Sequence, residues 1–244
     1  MKRTSAIFLL LLSLSGGMSL NAQKKSVLNL PKYDSQYLHF GFSLGVNRAN
    51  FIVHPVKNLA SLDTVLSILP SPSSGFNLAI ISDLRIHQYA TLRFLPDLSF
   101  QERILNYSIV SRNASGGRDT STFTKHVEST VIDFPLDLKI RSSRLNNISC
   151  YVLGGGKYSI DLASQKNVQN SNSPSAAIVK LKKNDYSFEA GFGIDYYFPY
   201  FKFSTEIKAC WGIPNLLVKD QAIFSNSVDK LNSQLILISF NFEG

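Results

Sequence analysis

Beyond about residue 37 the chain alternates apolar and polar positions with a period of two, stretch after stretch. From His39 to Asn47, Phe40, Phe42, Leu44 and Val46 share one face while Gly41, Ser43, Gly45 and Asn47 share the other, as in a strand with two unlike sides. The same parity returns from Phe76 to Ile86, with Ile81 an apolar exception on the polar side, and after a junction at 87–90 it continues from Thr91 to Gln101. Strands joined so tightly predict an antiparallel hairpin. A fourth strand is predicted over about 129–140, where Pro135 argues for a bulge or bend. Further strands are predicted over about 148–162, 186–198, 202–213 and 233–242, the last with the weakest phase.

The connections alternate in length. Segments 50–74, 102–126, 163–184 and 214–230 are long and rich in Ser, Asn, Asp, Gly and Pro, whereas 87–90, 142–147 and 199–200 are short. Short turns at one end and long loops at the other predict an all-β fold, an eight-stranded antiparallel up-and-down outer-membrane barrel. Several strands reach the ~9 to 11 residues needed to cross a bilayer at a tilt.

The polar faces carry Asp83, Arg85, Arg93, Asp97, Asp133, Asp137, Lys139, Lys157, Asp161, Glu189, Asp195, Lys202, Glu206 and Lys208. A soluble barrel would turn these charges to water and the Phe/Leu/Ile face inward, so a periplasmic lipocalin-like barrel is the alternative at this point. In a membrane the aromatic face meets lipid and the charges meet one another. Eight strands enclose only enough space for side chains, which argues against an open channel.

Met1 to Ala22 combines Lys2 and Arg3, an apolar run from Ala6 and a small-residue exit, the pattern of a secretory signal peptide. Residues 23–37 then form an expected periplasmic segment and 38–244 the barrel domain, in the outer membrane with both termini periplasmic. Removing Lys2 and Arg3 lowers the formal charge of the 244-residue chain from +8 to +6, an excess that suits a membrane surface or an acidic partner. Secretion removes the chain from cytoplasmic nucleotides, and no nucleic-acid partner is expected.

Signals for chemistry are weak. His39, His54, His87 and His126 are scattered without metal-ligand spacing. Asp83 with Asp97, and Asp133 with Asp137, sit beside Arg85, Arg93 and Lys139 and fit an interior ion network better than an acid/base pair. Gly154 to Lys157 lacks the spacing and the Ser or Thr of a phosphate loop, because Tyr158 follows the lysine, and reads instead as a bend or a place where interior side chains need room. No GxSxG nucleophile elbow accompanies it. Cys150 and Cys210 fall on opposite faces of non-neighbouring strands, which disfavours a disulfide. Lys24, Lys25 and Lys32 make a small basic patch that reads first as a solvated tail. No catalytic residue, metal or cofactor is expected.

Longer stretches carry a resemblance. Phe94 to Arg103 (FLPDLSFQER), Asp133 to Asn146 (DFPLDLKIRSSRLN), Tyr151 to Tyr158 (YVLGGGKY), Gly191 to Asp195 (GFGID), Glu206 to Gly212 (EIKACWG) and Ile238 to Glu243 (ISFNFE) together resemble the PorT family, in order over nearly all of the chain after the leader. The resemblance implies an outer-membrane barrel required for protein export by the type IX secretion system, with gliding supported in some hosts and components of that system as partners beside outer-membrane lipid. It implies no catalytic set. The matched positions Arg93, Pro96, Pro135, Lys139, Arg144, Asn146, Gly155, Lys157, Gly191, Gly193, Glu206 and Gly212 are expected to maintain the fold or touch partners. Of these, Arg93, Lys139, Lys157 and Glu206 would balance interior charge, the glycines would permit close packing, and Arg144 with Asn146 would present a periplasmic turn. The competing readings are a small porin-like or adhesive surface barrel unrelated to export and, more remotely, a barrel hydrolase.

Overall fold

The computed structural model describes residues 27–56, 65–112, 118–163, 180–219 and 227–244. The expected leader, Lys24, Lys25 and parts of all four expected long loops lie outside the described residues. Among those described, the strands are β1 (Leu38–Pro55), β2 (Val65–Arg85), β3 (Ala90–Phe94), β4 (Asp97–Arg112), β5 (Arg118–Arg141), β6 (Ile148–Asp161), β7 (Asn184–Tyr197), β8 (Lys202–Gly212) and β9 (Val228–Glu243). All pair antiparallel with their neighbours, and β1 bonds to both β2 and β9, which closes the sheet into a ring.

β3 and β4 are two halves of one stave. Both lie between β2 and β5, and the register carries across the break, from Ser82↔Phe94 to Ala79↔Asp97 on one side and from Phe94↔Leu136 to Asp97↔Asp133 on the other. Eight staves therefore make the barrel, as the alternation predicts.

The bend expected at Pro135 is absent from β5, which pairs with β6 without a register shift from Val131 to Arg141. The interruption lies in the neighbouring stave, at Leu95 and Pro96. Leu95 N–H donates to the Pro135 carbonyl, so the backbone groups of Pro135 face Leu95 and the N–H that proline lacks is missing where the ladder breaks.

Two expected loops are largely strand. β4 and β5 continue to a tip, paired as far as Arg112↔Arg118, and β1 and β2 extend to Pro55 and back to Val65. The cause is a reversal of polarity without a change of parity. Within the wall, odd positions of β4 are polar and inward, such as Asp97 and Ser99, whereas further along the odd positions are apolar and inward, Leu105, Tyr107 and Ile109. Outside lipid the apolar face has to turn inward to leave water. Leu231 does the same on β9, and within the wall Leu235 and Leu237 turn into the lumen against Ala49 and Cys210, which is why the phase of this strand looks weak in the sequence.

The wall is inside out relative to a soluble barrel. Phe40, Phe42, Ile80, Val152 and Phe192 project outward and stay exposed, at 52–65% of their full accessibility, while Asp83, Arg93, Asp133, Asp137, Lys139, Asp195, Glu206 and Glu243 point into the lumen at 0–2%. This excludes the lipocalin-like alternative. Aromatic pairs mark two belts on the outer surface: Phe76 with Phe100, Tyr158 with Tyr186 and Phe188 with Trp211 toward the long loops, and Phe42 with Phe242, Phe198 with Phe201 and Phe203 with Phe240 toward the short turns. Along β7, Tyr186 and Tyr196 lie ten residues apart, roughly 33 Å of strand, or about 25 Å along the normal at a ~40° tilt, the height of a lipid-facing apolar band.

Candidate functional site

The lumen is filled by charge, and its geometry follows from strand parity. Arg93 on β3 is fully buried and donates Nε and Nη2 to the two carboxylate oxygens of Asp83 (2.8 Å each), Nη1 to Glu206 (3.1 Å) and Nη2 to Glu243 (2.8 Å). Lys202 meets the other oxygen of Glu243 at 2.6 Å, and the Tyr151 hydroxyl donates to Glu206 at 2.7 Å. Lys139 bonds to Asp195 at 3.0 Å and stands 3.6 Å from the centre of the Tyr151 ring. Further toward the loops, Lys208 bridges Asp137 (2.8 Å) and Glu189 (2.9 Å), and Lys157 meets Asp133 at 3.0 Å, with Ser159 donating to the same carboxylate. Asp97 accepts both its bonds from the Asn77 amide, whose oxygen accepts in turn from Asn47. A buried charge left alone is costly, so these cations and carboxylates are mutually dependent. The arrangement fills the lumen with paired side chains and can brace a wall.

The matched glycines make room for this network. A Cβ on Gly155 would lie 2.5 Å from Asp137 Oδ1 and closer still to the Leu136 carbonyl, and one on Gly193 would fall 2.5 Å from the Tyr151 ring. Gly191 and Gly212 are similarly crowded by the backbone and side chain of Lys208 and by Ser233. Among the prolines, Pro96 marks the β3/β4 break and Pro135 is buried opposite it. The apolar exception Ile81 packs with Ala79 and Leu95 as a small apolar patch inside the lumen.

The short-turn end is closed by residues 27–36, which lie across the barrel mouth. A 3-10 turn (Tyr33–Ser35) inserts Tyr33, whose hydroxyl donates to Glu243 at 2.7 Å and whose ring stacks on His39. Burial pushes the Tyr33 phenol well up from its ordinary value, and the adjacent Glu243 carboxylate pushes it the same way. Asp34 pairs with Arg141 (2.5 Å) and Arg144 (3.6 Å). Arg144 also donates to the Asn146 carbonyl, the Asn29 carbonyl and Asn147 Oδ1, and its guanidinium lies 3.8 Å over the Tyr197 ring. Asn146 occupies the left-handed region (φ 54°), which turns the chain so that Asn147 reaches Asn29. Arg144 and this turn therefore clamp the N-terminal segment instead of standing free.

The structure places Arg93, Lys139, Lys157 and Glu206 in the lumen and joins Arg93 to Glu206 directly. Tyr33, Asp34, Tyr151, Lys202, Lys208 and Glu243 were missed as site residues. Lys202 and Lys208 already stand on the polar parity read from the sequence and Glu243 continues it on β9, whereas nothing in the sequence links Tyr33 to a partner 210 residues away. The histidines are dispersed: His39 is buried under Tyr33, and His126 pairs with Glu102 on the exposed outer face. Cys150 is exposed and Cys210 buried, both free thiols.

Solved structures similar to the chain include Neisserial surface protein A (12% identity, 83% of this chain and 95% of that one, TM-score 0.40), OprG from Pseudomonas aeruginosa (12%, 84% and 92%, 0.39) and Ail of Yersinia pestis (10%, 86% and 100%, 0.37). At these scores they add nothing to the argument from the wall itself. No curated protein matches the chain. The family model described as an outer membrane protein beta-barrel domain matches residues 21–218. A closed eight-stave wall with a charged lumen and an apolar, aromatic-belted exterior is what that description requires, and the chain belongs to this outer-membrane barrel family.

Proposed function

We propose that this barrel is a non-enzymatic outer-membrane component required for protein export by the type IX secretion system, with a part in gliding in hosts that glide. The export assignment is supported by the ordered resemblance to the PorT family from Phe94 to Glu243. The observation that decides how it would act is the filled lumen: Arg93, Lys139, Lys157, Lys202 and Lys208 are all tied to carboxylates inside the barrel, some on the neighbouring strand and some across the lumen, and residues 27–36 cover the short-turn mouth. Cargo cannot pass through such a lumen, so the protein works beside the translocon or on its partners. The first described residues, 27–36, and Gly244, whose N–H bonds to the Phe40 carbonyl, lie at the short-turn end, and short turns are the periplasmic side of such barrels.

The test is affinity capture of the tagged protein from detergent-solubilised outer membranes, with mass spectrometry of what stays bound. Type IX components should be recovered. A clean monomer, together with unchanged export on deletion, would instead favour an independent adhesive barrel. Steady ion conductance by the purified protein in a planar bilayer would favour the porin-like reading.

A further inference from the structure

Toward the loop end of the lumen, between the ion network and an apolar cap that includes Phe51, Leu105 and Leu231, lies a cavity of about 30 Å³. One water centre needs ~10–15 Å³, so the space has room for a small solute beyond a single water. Its wall carries Arg103, Lys157, Asp161, Asp185 and Ser187, and Lys182 and Lys183 flank it.

Arg103 is unlike the other lumen cations. Arg93, Lys139, Lys157, Lys202 and Lys208 each have a carboxylate within 3.0 Å. Arg103 is 93% buried, yet among the described residues no carboxylate lies within ion-pair distance. Its side-chain contacts are a hydrogen bond to Gln101 and a position 5.1 Å over the Phe51 ring. Its Nε has no hydrogen-bond partner, and two more groups on the same wall share that condition, the Asp185 Oδ1 acceptor and the Ser187 hydroxyl. A buried guanidinium that makes no ion pair, with the Asp185 and Asp161 carboxylates acting on it only from a distance, leaves its Nε free to donate to an anion. A carboxylate oxygen beside it without a donor calls for an anion that itself carries a proton, because a fully ionised one would be repelled.

We propose that this cavity is a binding site for a small protonated oxyanion of the monohydrogen phosphate class. Arg103 and Ser187 donate to its oxygens and Asp185 accepts its hydroxyl proton. Lys182 and Lys183, both exposed, draw the anion in from the loop side. The size of the space admits inorganic phosphate and excludes a nucleotide. The site is independent of the export reading, since it rests on the lumen alone.

The test is isothermal titration of inorganic phosphate, and separately of sulfate, into the full-length mature protein in a phosphate-free detergent at about pH 8, where phosphate is mostly the monohydrogen dianion. Saturable phosphate binding is expected, at least about tenfold tighter than sulfate, because sulfate has no proton to give Asp185. Arg103→Gln should abolish it. Asp185→Asn should bring sulfate close to phosphate, since an amide can donate. Folding of each variant is checked by heat-modified electrophoretic mobility. The wild-type phosphate/sulfate comparison needs no variant: absence of saturable phosphate binding, or equal binding of sulfate, overturns the proposal.

Discussion

Replacing Arg93 by Gln should take the guanidinium from three carboxylates in the middle of the barrel, leaving Asp83 without an ion pair while Glu243 keeps Lys202 and Glu206 keeps Tyr151. Arg93 makes four charge-assisted hydrogen bonds, at 2.8, 2.8, 2.8 and 3.1 Å, and is fully buried. At ~1.5–3 kcal/mol for a hydrogen bond to a charged group, simple addition would exceed what truncating one partner of a buried pair costs, about 3–5 kcal/mol. The smaller figure is the expected one, because water and protons reach the stranded groups. The assay is urea unfolding from lipid vesicles, followed by the fluorescence of Trp211, the single tryptophan, which stacks on Phe188 at the outer surface. Arg93→Lys keeps the charge but loses the fork and should recover part of the loss. Asp83→Asn combined with Arg93→Gln should cost less than the two single changes together, the signature of coupled groups. An Arg93→Gln barrel within about 0.5 kcal/mol of wild type, the range of an ordinary surface change, would refute the view that the lumen charges depend on one another.

Arg144→Ala removes the clamp on residues 27–36, so limited proteolysis should trim that segment from the variant much faster than from wild type while the barrel keeps its folded mobility. Gly193→Ala drives a Cβ into the Tyr151 ring and the Thr205 carbonyl and should cost about 1–3 kcal/mol in the same urea assay; a neutral result would show that the ring has room to move. The Tyr33 phenol is raised by burial first and Glu243 second, so its contribution is complete below the unfolded-state value of ~10 and is lost progressively as pH rises from there through the higher folded value. Spectrophotometric titration of wild type against Tyr33→Phe should accordingly show no difference until pH passes that of ordinary tyrosines.

Much of this was legible because lipid and water impose opposite demands on the two faces of one strand. Asp83, Arg93, Asp133, Lys139 and Glu206 alternate with Leu84, Phe94, Phe134, Ile140 and Ile207, and that parity assigns lumen and lipid without any contact being known. The reading failed where the solvent changes. Beyond residue 103 of β4, water lies outside and the apolar residues turn in, so Leu105, Tyr107 and Ile109 continue the strand while breaking the pattern that had identified it. Pro135 misled because a proline can be accommodated by a break in the neighbouring stave as well as by a bend in its own. Contacts distant in sequence, such as Tyr33 with Glu243, leave no periodic trace at all.

The most direct measurement is made in the native host: an in-frame deletion, with and without the wild-type copy restored, scored by quantitative proteomics of type IX cargo in the medium and the periplasm. The account predicts that cargo disappears from the medium, accumulates in the periplasm and returns to the medium on restoration. Cargo secreted normally by the deletion strain would contradict the assignment to export.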